Sequence, residues 1–191
     1  MKGKLFLIVG PSGSGKSSVL MELKMMHPEY IYPLSATTRP MREGEKEGDI
    51  YDFYTKKRFE EGIQNGDFLE HAVVHQDYYY GLLKQPVLKS LKAGEVVVRE
   101  VDIQGFDSIR RTIPAQNMVS IFITTANKNE LIDRIVNRAK ISNEELGKRM
   151  ESMHHEFARA KDCDYLVENQ KGELKQTVKM VSKIIQKESK R

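Results

Sequence analysis

Five consecutive apolar residues, Leu5 to Val9, stop at Gly10. An unbroken run that short predicts a strand buried on both faces. From Ser17 the spacing changes: Val19, Leu20, Leu23 and Met26 recur as on one helix face, and Pro28 marks the end, with Met25 and Met26 expected as core filling. After residue 85 the alternation becomes regular. "PVLKSLKAG" predicts a helix stopped by Gly94, "EVVVREVD" a buried strand, "FDSIRRTI" a helix and "MVSIFITT" another strand. "DYLVEN" predicts a last strand and "ELKQTVKMVSKIIQKE" a closing amphipathic helix. Strands alternating with helices argue for a doubly wound parallel sheet, whose ligands bind beyond the carboxyl ends of the strands.

Two segments break this rhythm. Residues 33–85 are rich in Arg, Glu, Gly and Tyr, with "IYDFY" and "FLEHAVVH" alternating as short strands do, which predicts an inserted subdomain. Residues 127–155 predict a helix, a short break and a long helix, with arginines spread through them. The 191 residues suffice for one α/β core carrying such insertions. Composition adds little beyond this. A formal charge of +4 suits a phosphate-rich ligand, a nucleic acid or a solvated basic tail equally. Cys163 is the single cysteine, so an internal disulfide is excluded, and no apolar stretch approaches membrane-spanning length. The opening apolar run is too short for the core of a signal peptide. A cytoplasmic protein without a membrane or nucleic-acid partner is the expectation.

The chemistry begins where the first strand ends. Gly10, Pro11, Ser12, Gly13, Ser14, Gly15, Lys16 and Ser17 fill the pattern G-x-x-x-x-G-K-[ST] between a predicted strand and a predicted helix, with Ser18 following. Glycines let successive N–H groups turn inward as an anion nest at a helix N-terminus. Lys16 is then expected on the β and γ phosphates of a nucleoside triphosphate and the Ser17 hydroxyl on Mg²⁺. A second anion site is suggested by "SATTRPMREGE": Arg39 and Arg42 stand three apart, with Glu45 and Tyr51 nearby. Two guanidinium forks can grip a phosphate dianion, and a tyrosine hydroxyl can complete its shell.

Together, "GPSGSGKSS", "SATTRPMREGE", "YDFY", "GDFLE", "YYYG", "VDIQG", an arginine-bearing segment and "DYLVEN" resemble the guanylate kinase family in order and spacing, from about residue 4 to about 187. The resemblance implies a P-loop three-layer α/β fold with a central parallel sheet, an inserted mixed β subdomain for the nucleoside monophosphate and a helical lid. It divides the chain into a core of about 1–32, 86–126 and 156–191, a GMP-binding subdomain of about 33–85 and a lid of about 127–155. It implies GMP contacts from Ser35, Arg39, Arg42, Glu45, Tyr51, Glu70, Glu100 and Asp102, and from Tyr79 or Tyr80. Glu70 falls where the family reads the base: a carboxylate accepts from guanine N1–H and the 2-amino group, whereas adenine offers neither donor there. Asp102 is implied beside the acceptor nucleotide and the metal. Arg134, Arg138 and Arg149 match the lid arginines, and Asn169 a position near the donor adenine.

Three departures from the family pattern stand out. Leu82 follows the glycine of "YYYG" where the family has Ser or Thr, an extra residue lies between Glu70 and Gly94, and the lid reads "NRAKIS", with Ala139, where the family has "GRGT". The implied reaction is Mg²⁺-dependent transfer from ATP to GMP or dGMP, in purine nucleotide metabolism, by a monomer or homodimer. A sugar-phosphate kinase such as ribose bisphosphokinase, or a non-catalytic guanylate kinase-like module, uses the same fold and stays open at this level.

Overall fold

A computed structural model describes residues 1–48, 51–74, 78–125, 130–132 and 143–190. The first strand, β1 (Lys4–Val9), lies inside a parallel sheet between β6 (Val96–Glu100) and β7 (Met118–Thr124), with β8 (Tyr165–Glu168) outside β7. Its alternate side chains enter two separate cores. Leu5, Leu7 and Val9 pack with Leu91, Val97, Phe106, Ile109 and Phe122, while Phe6 and Ile8 pack with Val19, Leu23, Ile121, Val178 and Ile185. A strand apolar at every position is therefore what a sheet covered on both faces requires. The covering helices include α1 (Lys16–Met26) and α6 (Leu174–Ser189) on one face and α3 (Lys84–Ala93) and α4 (Ile103–Arg110) on the other.

The second sheet is mixed. Its order is β3 (Tyr51–Phe53), β2 (Ser35–Thr37), β5 (Tyr78–Leu83), β4 (Phe68–Val74), with β2 parallel to β3 and β5 antiparallel to both β2 and β4. Two of its neighbouring elements escaped the periodicity. The run "YYYGLL" forms β5, and residues Lys56–Gln64 form α2, which starts where Thr55 accepts a hydrogen bond from the Arg58 N–H at 3.2 Å. Phe59 of α2 is fully buried and stacks on Phe68 at 4.3 Å and on Tyr79 at 5.1 Å, giving this sheet a packed aromatic face. Gly81 leaves these rings their room. A Cβ on it would stand 2.7 Å from Phe68 and 2.9 Å from Phe59.

Residues 31–33 join the two sheets. Ile31 hydrogen-bonds to Val96 and Val98 along the edge of β6, and the chain then turns into β2. The expected methionine filling is corrected: Met25 and Met26 are 66% and 46% exposed. Met25 lies on the far side of α1 from Val19 and Leu23, and Met26, on the same stripe, is the helix's last residue. The helix α5 (Asn143–Ala158) closes the described part of the second insertion, and just beyond it Arg159 grips Asp107 of α4 through both terminal nitrogens, at 2.8 and 2.7 Å.

Candidate active site

The loop after β1 is shaped by backbone conformations that favour glycine. Gly15 adopts φ 93° and caps α1 without a side-chain hydrogen bond, leaving the helix's first N–H groups to face the loop. At Gly10 the chain passes so near β7 that a Cβ would stand 2.2 Å from the Ile123 carbonyl oxygen. Lys16 folds across this loop, its ammonium donating to the carbonyls of Gly10 at 2.6 Å and Pro11 at 3.1 Å. Burial pushes its pKa down, while the carboxylates of Glu156, Glu100 and Asp102 pull the other way. The result is a desolvated cation at the mouth of an anion nest.

Asn169 braces the loop from behind. Its amide donates to the Ser14 carbonyl at 2.8 Å and its side-chain oxygen accepts from Thr177 of α6 at 3.1 Å, with only 5% of the residue exposed. Beside the loop a cleft of about 560 Å³ is lined by Lys16, Ser18, Met21, Asn169, Lys171 and Leu174, among others. Ser17, which also lines this cleft, donates to Glu100 Oε1 at 3.1 Å.

The second site lies on the face of the mixed sheet opposite Phe59, where Leu82 is fully buried in the core shared with Val9 and Phe106. Register pairs Ser35 with Leu82 and Leu82 with Glu70, so these three side chains share one face with Tyr51 and Tyr80. Arg39 meets Glu45 as a two-pronged pair, both distances 2.9 Å, and Glu45 also accepts from the Arg42 N–H at 2.8 Å. The Arg39 guanidinium holds the Glu45 carboxyl below its usual range. Arg39 also sits 5.4 Å from the Tyr51 ring, and the Tyr80 hydroxyl is among the groups that raise its pKa. Tyr80 meets the Tyr51 ring edge-on at 5.6 Å. Tyr79 points to the opposite face, against Phe59, with its hydroxyl toward Glu60. Of the two candidate tyrosines, only Tyr80 joins Arg39 and Tyr51.

Glu70 is the buried acid of this face. Burial raises its pKa to about 6; Arg99 and the Leu82 N–H lower it, and Asp102 raises it further. The end of β6 connects everything. Arg99 donates to the Pro33 carbonyl at 3.1 Å and to Ser35 Oγ, Glu100 reaches Ser17, and Asp102 caps α4 by accepting from the Gly105 N–H at 2.7 Å. Of the two carboxylates assigned to this strand end, Glu100 reaches the phosphate loop, whereas one oxygen of Asp102 is occupied by the cap.

The glycine-rich loop and the polar cluster of the mixed sheet thus meet at one strand end, and the comparisons with known proteins bear directly on them. A family profile described as guanylate kinase matches residues 2–188. The chain belongs to the guanylate kinase family. Among curated relatives, guanylate kinase from Helicobacter pylori strain ATCC 700392 / 26695 is 39% identical over 166 residues, covering 87% of this chain and 79% of its own length. Guanylate kinase from Campylobacter jejuni strain RM1221 is 39% identical over 186 residues, covering 97% and 89%. The crystal structure of guanylate kinase from Anaplasma phagocytophilum matches with TM-score 0.75 and 25% identity, covering 99% of this chain and 87% of its own.

As a guanylate kinase fold, the chain brings Lys16, Ser17 and Glu100 to one pocket and Ser35, Arg39, Glu45, Tyr51, Glu70 and Tyr80 to the other. Arg42 contributes its backbone to this cluster and exposes its side chain. Arg134 and Arg138 lie outside the described residues; Arg149 belongs to α5, and its side chain is likewise outside the description. Sequence reasoning missed Arg99 and Thr177. Arg99 was readable as a charge directly after three valines in "EVVVREVD", which is a signal of a polar partner.

Proposed function

We propose that this chain transfers the terminal phosphoryl group of ATP to GMP, giving ADP and GDP, with the residue roles that follow. One observation carries the reading: consecutive residues at the end of β6 touch both pockets, Arg99 at Ser35 and Glu100 at Ser17, so a donor phosphate on the glycine loop and an acceptor on the mixed sheet would meet there. Ligands on parallel sheets bind at such carboxyl ends.

On this reading the loop from Gly10 to Ser18 cradles the ATP phosphates, and the cleft lined by Met21 and Asn169 takes the nucleoside. Lys16 exchanges its carbonyl partners for phosphate oxygens, a stronger pairing for a desolvated ammonium. Arg39, Arg42, Tyr51 and Tyr80 hold the GMP phosphate. That phosphate already carries an anionic oxygen near neutral pH, so no general base is required. Catalysis reduces to alignment and charge neutralisation by Lys16 and the arginines, with Arg134, Arg138 and Arg149 of the lid completing the shell. Glu70 accepts from the guanine N1–H and 2-amino group.

A divalent cation fits the donor set between the two clusters: among the described residues Glu100 Oε2 is buried without a hydrogen-bond partner, and Glu100 Oε1 accepts from the Ser17 hydroxyl. Ser17, Glu100 and Asp102 would hold Mg²⁺ beside the phosphates, where it would neutralise their charge. Residues about 33–85 act as the GMP-binding subdomain and about 127–155 as the lid, on the core of about 1–32, 86–126 and 156–191. Among the described residues no helix is long and apolar enough to cross a membrane. The proposed enzyme acts on small nucleotides, as a monomer or homodimer in the cytoplasm. The test is Lys16→Met: turnover with ATP and GMP should fall by about two to three orders of magnitude while the circular dichroism spectrum is retained. Full turnover in the mutant would remove Lys16 from the mechanism.

A further inference from the structure

Arg99 is a cation in a strand whose other residues from Val96 to Val98 are apolar, and it sits where β6 meets the mixed sheet. Its guanidinium donates to the Pro33 carbonyl and to Ser35 Oγ, while its Nε is buried with no hydrogen-bond partner among the described residues. Ser35 itself is 4% exposed and stands in register beside Leu82, which stands beside Glu70. Leu82 offers no polar group between them. A hydroxyl has one proton and two lone pairs, and a guanidinium can only donate. Ser35 Oγ must therefore accept from Arg99 and direct its own proton elsewhere, and among the described residues that proton has no acceptor.

We propose that Arg99 is a specificity-determining positioning residue, which fixes Ser35 as a hydrogen-bond donor and so selects a purine that carries an acceptor at its six-position. This rests on the reading of the mixed sheet as the GMP site. Guanine presents O6, an acceptor, next to N1–H, so a Ser35 donor and the Glu70 carboxylate match two adjacent edges of one base. Adenine presents an amino donor and a bare ring nitrogen at those positions and mismatches both. Without Arg99 the Ser35 hydroxyl is free to rotate and accept instead, and half of the discrimination is lost. Arg99 touches neither reacting phosphate, so its effect belongs in GMP affinity rather than in the chemical step.

The experiment compares GMP with 6-thio-GMP, whose sulfur is a poor acceptor, in the parent enzyme and in Arg99→Leu, Arg99→Lys and Ser35→Ala, with melting temperature and KM for ATP as controls. In Arg99→Leu, KM for GMP should rise about tenfold, kcat should change little and KM for 6-thio-GMP should move far less, so that the preference for oxygen collapses. Arg99→Lys keeps the charge but loses the fork and should fall between. Adding Arg99→Leu to Ser35→Ala should add almost nothing. An equal rise in KM for both nucleotides, or no change, would overturn the inference; should Arg99→Leu not fold, Arg99→Lys decides by the same ratio. A parent enzyme inactive on GMP would instead bring down the functional reading and this inference with it.

Discussion

Glu70 shows how one residue is held in a state that folding alone disfavours. Burial lifts its pKa to about 6 from an ordinary 4.5, so the folded chain binds the proton more tightly than the unfolded chain. That contribution to stability is present below about pH 4.5 and is lost as the pH rises through about 6, amounting to about 2 kcal/mol at neutral pH. Glu70→Gln should therefore gain thermal stability over the parent at pH 8 and almost none at pH 4.5, as a melting series across that range would read. The same change should lower kcat/KM for GMP by about a hundredfold, because a carboxamide cannot accept from both guanine donors. A stability difference independent of pH would contradict the burial argument. Lys16 is the cationic counterpart, desolvated yet ringed by carboxylates. The loop residues were legible in the sequence because their pattern encodes a backbone shape. The choice between Tyr79 and Tyr80 was not, since it depends on which face of a strand the register exposes, and Arg99 stood out only as a charge whose partner the spacing does not name.

At the scale of elements, the loop is kept in shape by its neighbours. Asn169, just after β8, ties the Ser14 carbonyl to Thr177 of α6. Asn169→Ala takes the side-chain donor from the buried Ser14 carbonyl, while Thr177 keeps the Glu168 and Glu173 carbonyls as acceptors; the change should cost about 1–3 kcal/mol in urea unfolding and raise KM for ATP while leaving KM for GMP near its original value. Gly81→Ala acts on the other sheet: with Phe68 and Phe59 under 3 Å from the added carbon, β5 must shift, and a loss of about 2–3 kcal/mol is expected. The parallel strands and flanking helices were readable because an unbroken apolar run and a helical stripe each bury in one way. Strand β5 and helix α2 were not. They form because Phe59 of α2 stacks on Phe68 of β4 and on Tyr79 of β5, a contact that sequence spacing alone does not specify.

For the molecule as a whole, the central claim is that two sheets place a triphosphate and a guanine nucleotide head to head at the end of β6. The parallel sheet supplies a rigid platform covered on both faces, and the mixed sheet hangs from it through residues 31–33 and Arg99. Such a division suits an enzyme that must bring two anions together and exclude water from them. The measurement that tests this most directly is ADP release from ATP and Mg²⁺ with GMP, dGMP, AMP, IMP, UMP and ribose 1,5-bisphosphate offered one at a time. Rapid turnover with GMP and dGMP and little with the rest is the expected result; turnover confined to the sugar phosphate, or none with any acceptor, would contradict it.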